Sequence, residues 1–123
     1  MTDPLSTRIA ACPLDDKVQE AWLNEELLKE FAWRQLPTNE WLTPEGQLVN
    51  GASIPNLLAS ADAGHEAVTA AKWLGTVGIG LGGYQACGLW NGIHGFDCKE
   101  TQGEAPTPAR AIAIALAKTT EVE

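Results

Sequence analysis

His94 and Cys98 stand four residues apart, with Cys87 and Asp97 close by in the chain. A thiol beside an imidazole and a carboxylate can act as a nucleophile with its own base, provided the partners meet in space. The same residue types can hold a metal. A structural zinc site, however, takes four ligands, commonly as two close pairs. The second histidine, His65, belongs to a different predicted helix. The segment therefore reads as two small buried thiols, Cys87 and Cys98, and a strand histidine. A hydrolase built on Cys98 and His94 stands behind the binding readings given below.

Other patterns also resolve into structure. "GIGLGG" (78–83) matches G-x-G-x-x-G, but a dinucleotide site needs a helix directly after the glycines. The strand-like "YQACGLW" follows instead, so a glycine-rich strand and hairpin are expected. Asp15–Asp16 and Glu25–Glu26 are adjacent pairs, and adjacent helix residues do not face one another. "APTPARAIAIAL" offers a helix start that could attract an anion. Glu104 precedes it and no lysine or glycine loop serves it, so the start is read as structural. No catalytic, metal-ligating or cofactor-binding residue is assigned.

Five tryptophans remain to be placed. Trp22, Trp33 and Trp73 fit helix faces and are assigned to the core, because indole burial stabilises a small domain strongly. Trp41 and Trp90 lie beside loops or hairpin ends. Burial is the leading reading for them too; exposed, they would form with His94 the candidate interaction surface.

The elements that must position these residues follow from periodicity and punctuation. Residues 1–14, with Pro4 and Pro13, read as an irregular leader to a single domain over 15–123. A helix is expected over about 16–35, carrying Leu23, Leu27, Leu28 and Phe31 at helical spacing, and it should stop before Pro37. Five prolines and glycines make 36–59 a long loop, with "TPEG" as a turn and Trp41 and Leu42 clipping it to the body. Ser60 caps a helix over 60–74, whose stripe of small residues suits close packing on a sheet. The period then becomes two, giving three short strands in 75–98 joined at Gly82–Gly83 and Asn91–Gly92. A last helix over 107–118 starts at Thr107 with Pro108 in the first helical position, and buries Ala109, Ile112, Ala113 and Leu116. The expected fold class is α+β: a three-stranded antiparallel meander packed with helices in an α-β-α sandwich, with an N-terminal helix and a long loop added.

The 123-residue chain carries a net charge of −8. Nine acids oppose four Lys or Arg in residues 1–60, and seven oppose four in 61–123. Direct nucleic-acid binding wants basic patches, and a DNA mimic wants carboxylates crowded on one face. The spread of charge fits neither. No stretch reaches the roughly 18 to 20 apolar residues of a membrane span. The start lacks the charged-then-apolar pattern of a signal peptide. Three widely spaced cysteines fit reduced thiols in a cytoplasm.

The order of motifs resembles a known family. "LLKEFAW" ending at Trp33, the W-x-x-P-x-G spacing of Trp41, Pro44 and Gly46, "ASADAGHEAV", the meander and "APTPARAIAIAL" together are similar to the phage ABA-sandwich domain over about residues 24–118. Ala32 departs from it, standing where that family often has glycine. The resemblance implies a tailed-phage or prophage origin and an α-β-α layered fold, and carries no catalytic residue across. The expected function is binding without catalysis: a host or phage protein as partner, including an anti-defence role, in the bacterial host cytoplasm. A homo-oligomer would cover the meander's edge strand. The rival is a nucleotide sponge, which convergence of three of Arg8, Arg34, Lys72, Lys99 and Arg110 at one pocket would favour.

Overall fold

A computed structural model of the chain describes residues 4–71, 73–79, 85–93 and 96–121; within the strands after residue 73, side chains are described for 75, 87–89 and 100–105. In chain order the elements are α1 (Leu5–Ala11), α2 (Lys17–Glu30), β1 (Arg34–Gln35), β2 (Glu40–Leu42), β3 (Leu48–Asn50), α3 (Ala61–Ala70), β4 (Leu74–Ile79), β5 (Gln85–Ile93), β6 (Phe96–Ala105) and α4 (Pro108–Thr119). The class is α+β, with two three-stranded antiparallel sheets in the orders β1-β2-β3 and β4-β5-β6.

The centre of the fold is α4. Thr107 caps it by accepting the Arg110 N–H at 3.2 Å, and Pro108 occupies the first turn. Both features follow from the requirement that orphan N–H groups be satisfied or absent. The sequence suggests one buried stripe, yet every residue from Ala109 to Ala117 is buried. A helix apolar all round belongs inside the protein. One side lies on the meander, where Thr101 Oγ1 donates to Ala115 O at 2.9 Å. There the backbones come so close that a Cβ on Gly103 would overlap the Ala111 carbonyl oxygen and lie 2.8 Å from Ala115 N. Along β6 the burial alternates: Thr101, Gly103 and Ala105 face α4, while Glu100, Gln102 and Glu104 are exposed.

The other sides of α4 receive α1 and α3. The leader expected to be irregular forms the seven-residue α1, which places Leu5, Ile9 and Cys12 in the core. Its tie to the chain's end is the Glu121 carboxylate, which accepts from Ser6 N at 3.1 Å and Ser6 Oγ at 2.8 Å. Ser60 caps α3 as expected, accepting from Ala63 N at 3.2 Å. That helix buries Gly64 and Val68, with Gly64 against Ile112. Its small residues thus allow close approach to α4, a helix, where a sheet was expected.

Asp16 caps α2 through the Gln19 N–H at 3.0 Å. The helix ends at Glu30, not near Gln35. The cause is local: Ala32 adopts φ 71°, Ala32 N–H donates to Lys29 O at 3.3 Å and Trp33 N–H to Leu28 O at 3.1 Å. This is a Schellman stop, and it turns the chain into β1. The long loop is likewise more ordered than its prolines suggest. β2 pairs with β1 and β3, setting Trp41 opposite Gln35 and Val49, and buried Asn24 holds the segment after it. Asn24 Nδ2 donates to Pro55 O at 2.9 Å and its Oδ1 accepts from Leu57 N at 2.8 Å.

In the meander, Asn91–Gly92 is not the turn. Asn91 pairs with Lys99 and Ile93 with Phe96, with a register shift between them. The pairing runs past the dipeptide, and glycine there fits a bulge. The third strand, expected to end by residue 98, continues through "KETQGE" to Ala105 because β5 supplies partners that far. The expected Gly82–Gly83 turn lies outside the described residues.

Candidate interaction face on α2

The buried side of α2 is set by Glu20, Leu23, Asn24, Leu27 and Leu28. These positions recur at helical period and face the core. Val18 and Trp22, four residues apart, fall on the opposite side and are 68 % and 69 % exposed. Leu14, in the turn before the helix, is 42 % exposed. An isolated surface leucine needs no explanation. A tryptophan left two-thirds in water one helical turn from exposed Val18 is different, since tryptophan leads the residue types that anchor protein interfaces.

The face is held rigidly from behind. Glu20 accepts from Arg110 Nη2 at 2.8 Å, with both side chains buried. Arg110 Nη1 also donates to Cys12 O at 2.8 Å. The Asn24 contacts fix the middle of the helix. Charge around the apolar stripe is mixed, with the acids ahead. Asp15 and Glu25 flank it, and Glu26 pairs with Arg8 at 2.7 Å. Such a face suits a complementary pocket with a basic rim.

The candidate residues of an interaction surface are distributed otherwise. Trp41 is 1 % exposed and belongs to the core, with Lys29 Nζ 5.9 Å from its ring centroid. The hairpin pairing turns its side inward, so the clipping role stands and the surface role is withdrawn. Trp90 lies in β5 opposite Leu74 and Glu100, and its side chain is outside the described set. His94 is outside the described residues. Conversely Trp22, expected in the core, is exposed. Trp73 is buried and Trp33 packs partly against the core, but neither lies on a helix face as expected, because α2 ends at Glu30 and α3 at Ala70 rather than near residue 74. The missed signal was available: Trp22 is two positions from Asn24 and one from Leu23, which on a helix places it away from the stripe formed by Leu23, Leu27 and Leu28.

The reactive set does not assemble around Cys87. That residue pairs with Gly103, five positions along β6 from Cys98, or roughly 16 Å at strand spacing. Burial pushes the Cys87 thiol up to about 11, so it is a thiol, not a nucleophilic thiolate, at neutral pH. Among the described residues no three His, Cys, Asp or Glu side chains group as metal ligands. His65 is exposed on α3. Of the cations a nucleotide would need, Arg8 pairs with Glu26 and Arg110 with Glu20, so each is answered by a carboxylate of α2. Lys72 and the Lys99 side chain are outside the described set. No described helix is long and apolar enough to cross a membrane.

Compared with known proteins, the chain matches no family model, no curated protein and no solved structure.

Proposed function

We propose that this chain is a small phage or prophage accessory protein that works by binding a host or phage protein, without catalysis, in the host cytoplasm. The observation that carries the binding reading is the Val18–Trp22 face of α2, apolar, exposed and fixed to the core through Glu20 and Asn24. The phage provenance rests on the order of sequence motifs from Trp33 to the Thr107–Pro108 helix start. Inhibition of a bacterial defence protein is the role that this provenance suggests.

The test is site-directed photo-crosslinking in bacteria. A photoreactive residue at Ala21, exposed beside Trp22, crosslinks to one partner protein. The same residue at Gln47, exposed on the turn before β3, does not. Equal crosslinking from both positions, or none from Ala21, overturns the reading.

A further inference from the structure

We infer that the cleft between the end of α2, the β2–β3 turn and α3 binds a small apolar amine. Its floor is the flank of α3, where Ala63 and Ala67 carry no side chain beyond Cβ and leave a cavity of about 290 Å³. That volume sits at the small end of ligand sites. The Schellman stop at Ala32 places Phe31 and Trp33 on one wall. Glu45 on the turn and Glu66 on α3 line it as well, and both are exposed. Among the described residues, no lysine or arginine lines the cleft.

Each part selects for the same chemistry. Alanine and aromatic walls take an apolar body. An indole such as Trp33 can attract a cation over its ring, and the carboxylates of Glu45 and Glu66 do the same. A phosphate or carboxylate ligand would meet the like charge of Glu45 and Glu66. The net charge of −8 further favours the approach of cations. The site uses none of Leu14, Val18 and Trp22, so it stands or falls apart from the α2 face.

Titration calorimetry with 2-phenylethylammonium tests the inference, with 3-phenylpropanol and 3-phenylpropanoate as neutral and anionic counterparts. The amine binds at one site with a Kd on the order of 1 mM, as its few heavy atoms allow. The alcohol binds roughly tenfold more weakly, reflecting the lost charge and cation–π terms. The carboxylate does not bind. Glu45→Gln and Glu66→Gln each weaken the amine about threefold, the size of an exposed charge contact. Both are surface changes that leave the fold intact. Ala67→Leu, which fills the floor, removes binding. Equal heats for the three probes, an amine that fails to saturate, or an unchanged affinity in the double Glu45→Gln/Glu66→Gln variant overturns the assignment.

Discussion

Glu20 and Arg110, 90 residues apart in sequence, form an ion pair of 2.8 Å whose side chains are 6 % and 3 % exposed. The contact joins α2 to the start of α4, and so sets the direction of the face that carries Val18 and Trp22. Burial alone would raise the Glu20 carboxyl. The hydrogen bond from Arg110 and the charges of Lys17 and Arg110 outweigh it, and the carboxyl is held below its ordinary value. A group lowered by folding stabilises the fold above its unfolded pKa, and this contribution is lost as pH falls through the folded value. Glu20→Gln leaves a buried guanidinium uncompensated and costs about 3 kcal/mol at pH 7. Urea unfolding at pH 7 and in the acid range below the ordinary carboxyl value measures both effects: the variant is less stable at pH 7, and its loss of stability on acidification is smaller than that of the wild type.

Gly103 and Gly88 make a matched pair of tests for the α4–meander contact. A Cβ at Gly103 runs into the backbone of Ala111 and Ala115, whereas one at Gly88 meets nothing within 4 Å. Gly103→Ala therefore destabilises by about 1–3 kcal/mol, since backbone cannot yield as a side chain can. Gly88→Ala is neutral or stabilising, because alanine has less backbone freedom to lose on folding. Thermal unfolding of the two variants separates them.

The tryptophans provide a second pair. Trp41→Ala removes a fully buried indole and costs about 3–5 kcal/mol. Trp22→Ala changes stability by less than about 0.5 kcal/mol, as expected for an exposed site. Chemical denaturation of each variant checks the assignment of Trp41 to the core and Trp22 to the surface.

Ala32 is held at φ 71°, where an L side chain is strained. Ala32→Gly relieves that strain against a smaller loss of backbone entropy, and raises stability by about 1 kcal/mol. A rise in the unfolding midpoint without a change in the denaturant slope is the expected result.

Much of this architecture is legible in the chain, and the exceptions have physical causes. Ser60 and Thr107 announce their helices because a capping oxygen acts within three residues of itself. The change to period two announces the meander. The helix α1 gives no such notice: a seven-residue helix with two core residues four apart, Leu5 and Ile9, owes its stability to packing on α4. Asn91–Gly92 misleads because hairpin ends depend on how far the partner strand pairs. The places of Trp41 and Trp22 are decided by packing that no single segment shows. The inward side of a three-residue strand is decided by its neighbours β1 and β3. On α2, buried Glu20 and Asn24 and exposed Val18 and Trp22 blur the contrast between faces. The small-residue stripe of α3 is plain in sequence, but nothing local says that it packs on a helix and leaves a cleft beyond.

The central claim is that the outer face of α2 is what this protein uses. Affinity capture from infected and uninfected bacterial lysates, quantified by mass spectrometry, tests it most directly when the wild type is run beside Val18→Ser/Trp22→Ser and, as a control for exposed apolar surface elsewhere, Leu48→Ser. One protein is retained in stoichiometric amount by the wild type and by Leu48→Ser, and its recovery falls at least about tenfold with the double variant, the scale of a lost interface anchor. Undiminished recovery by a correctly folded double variant, or no stoichiometric protein with the wild type, contradicts it.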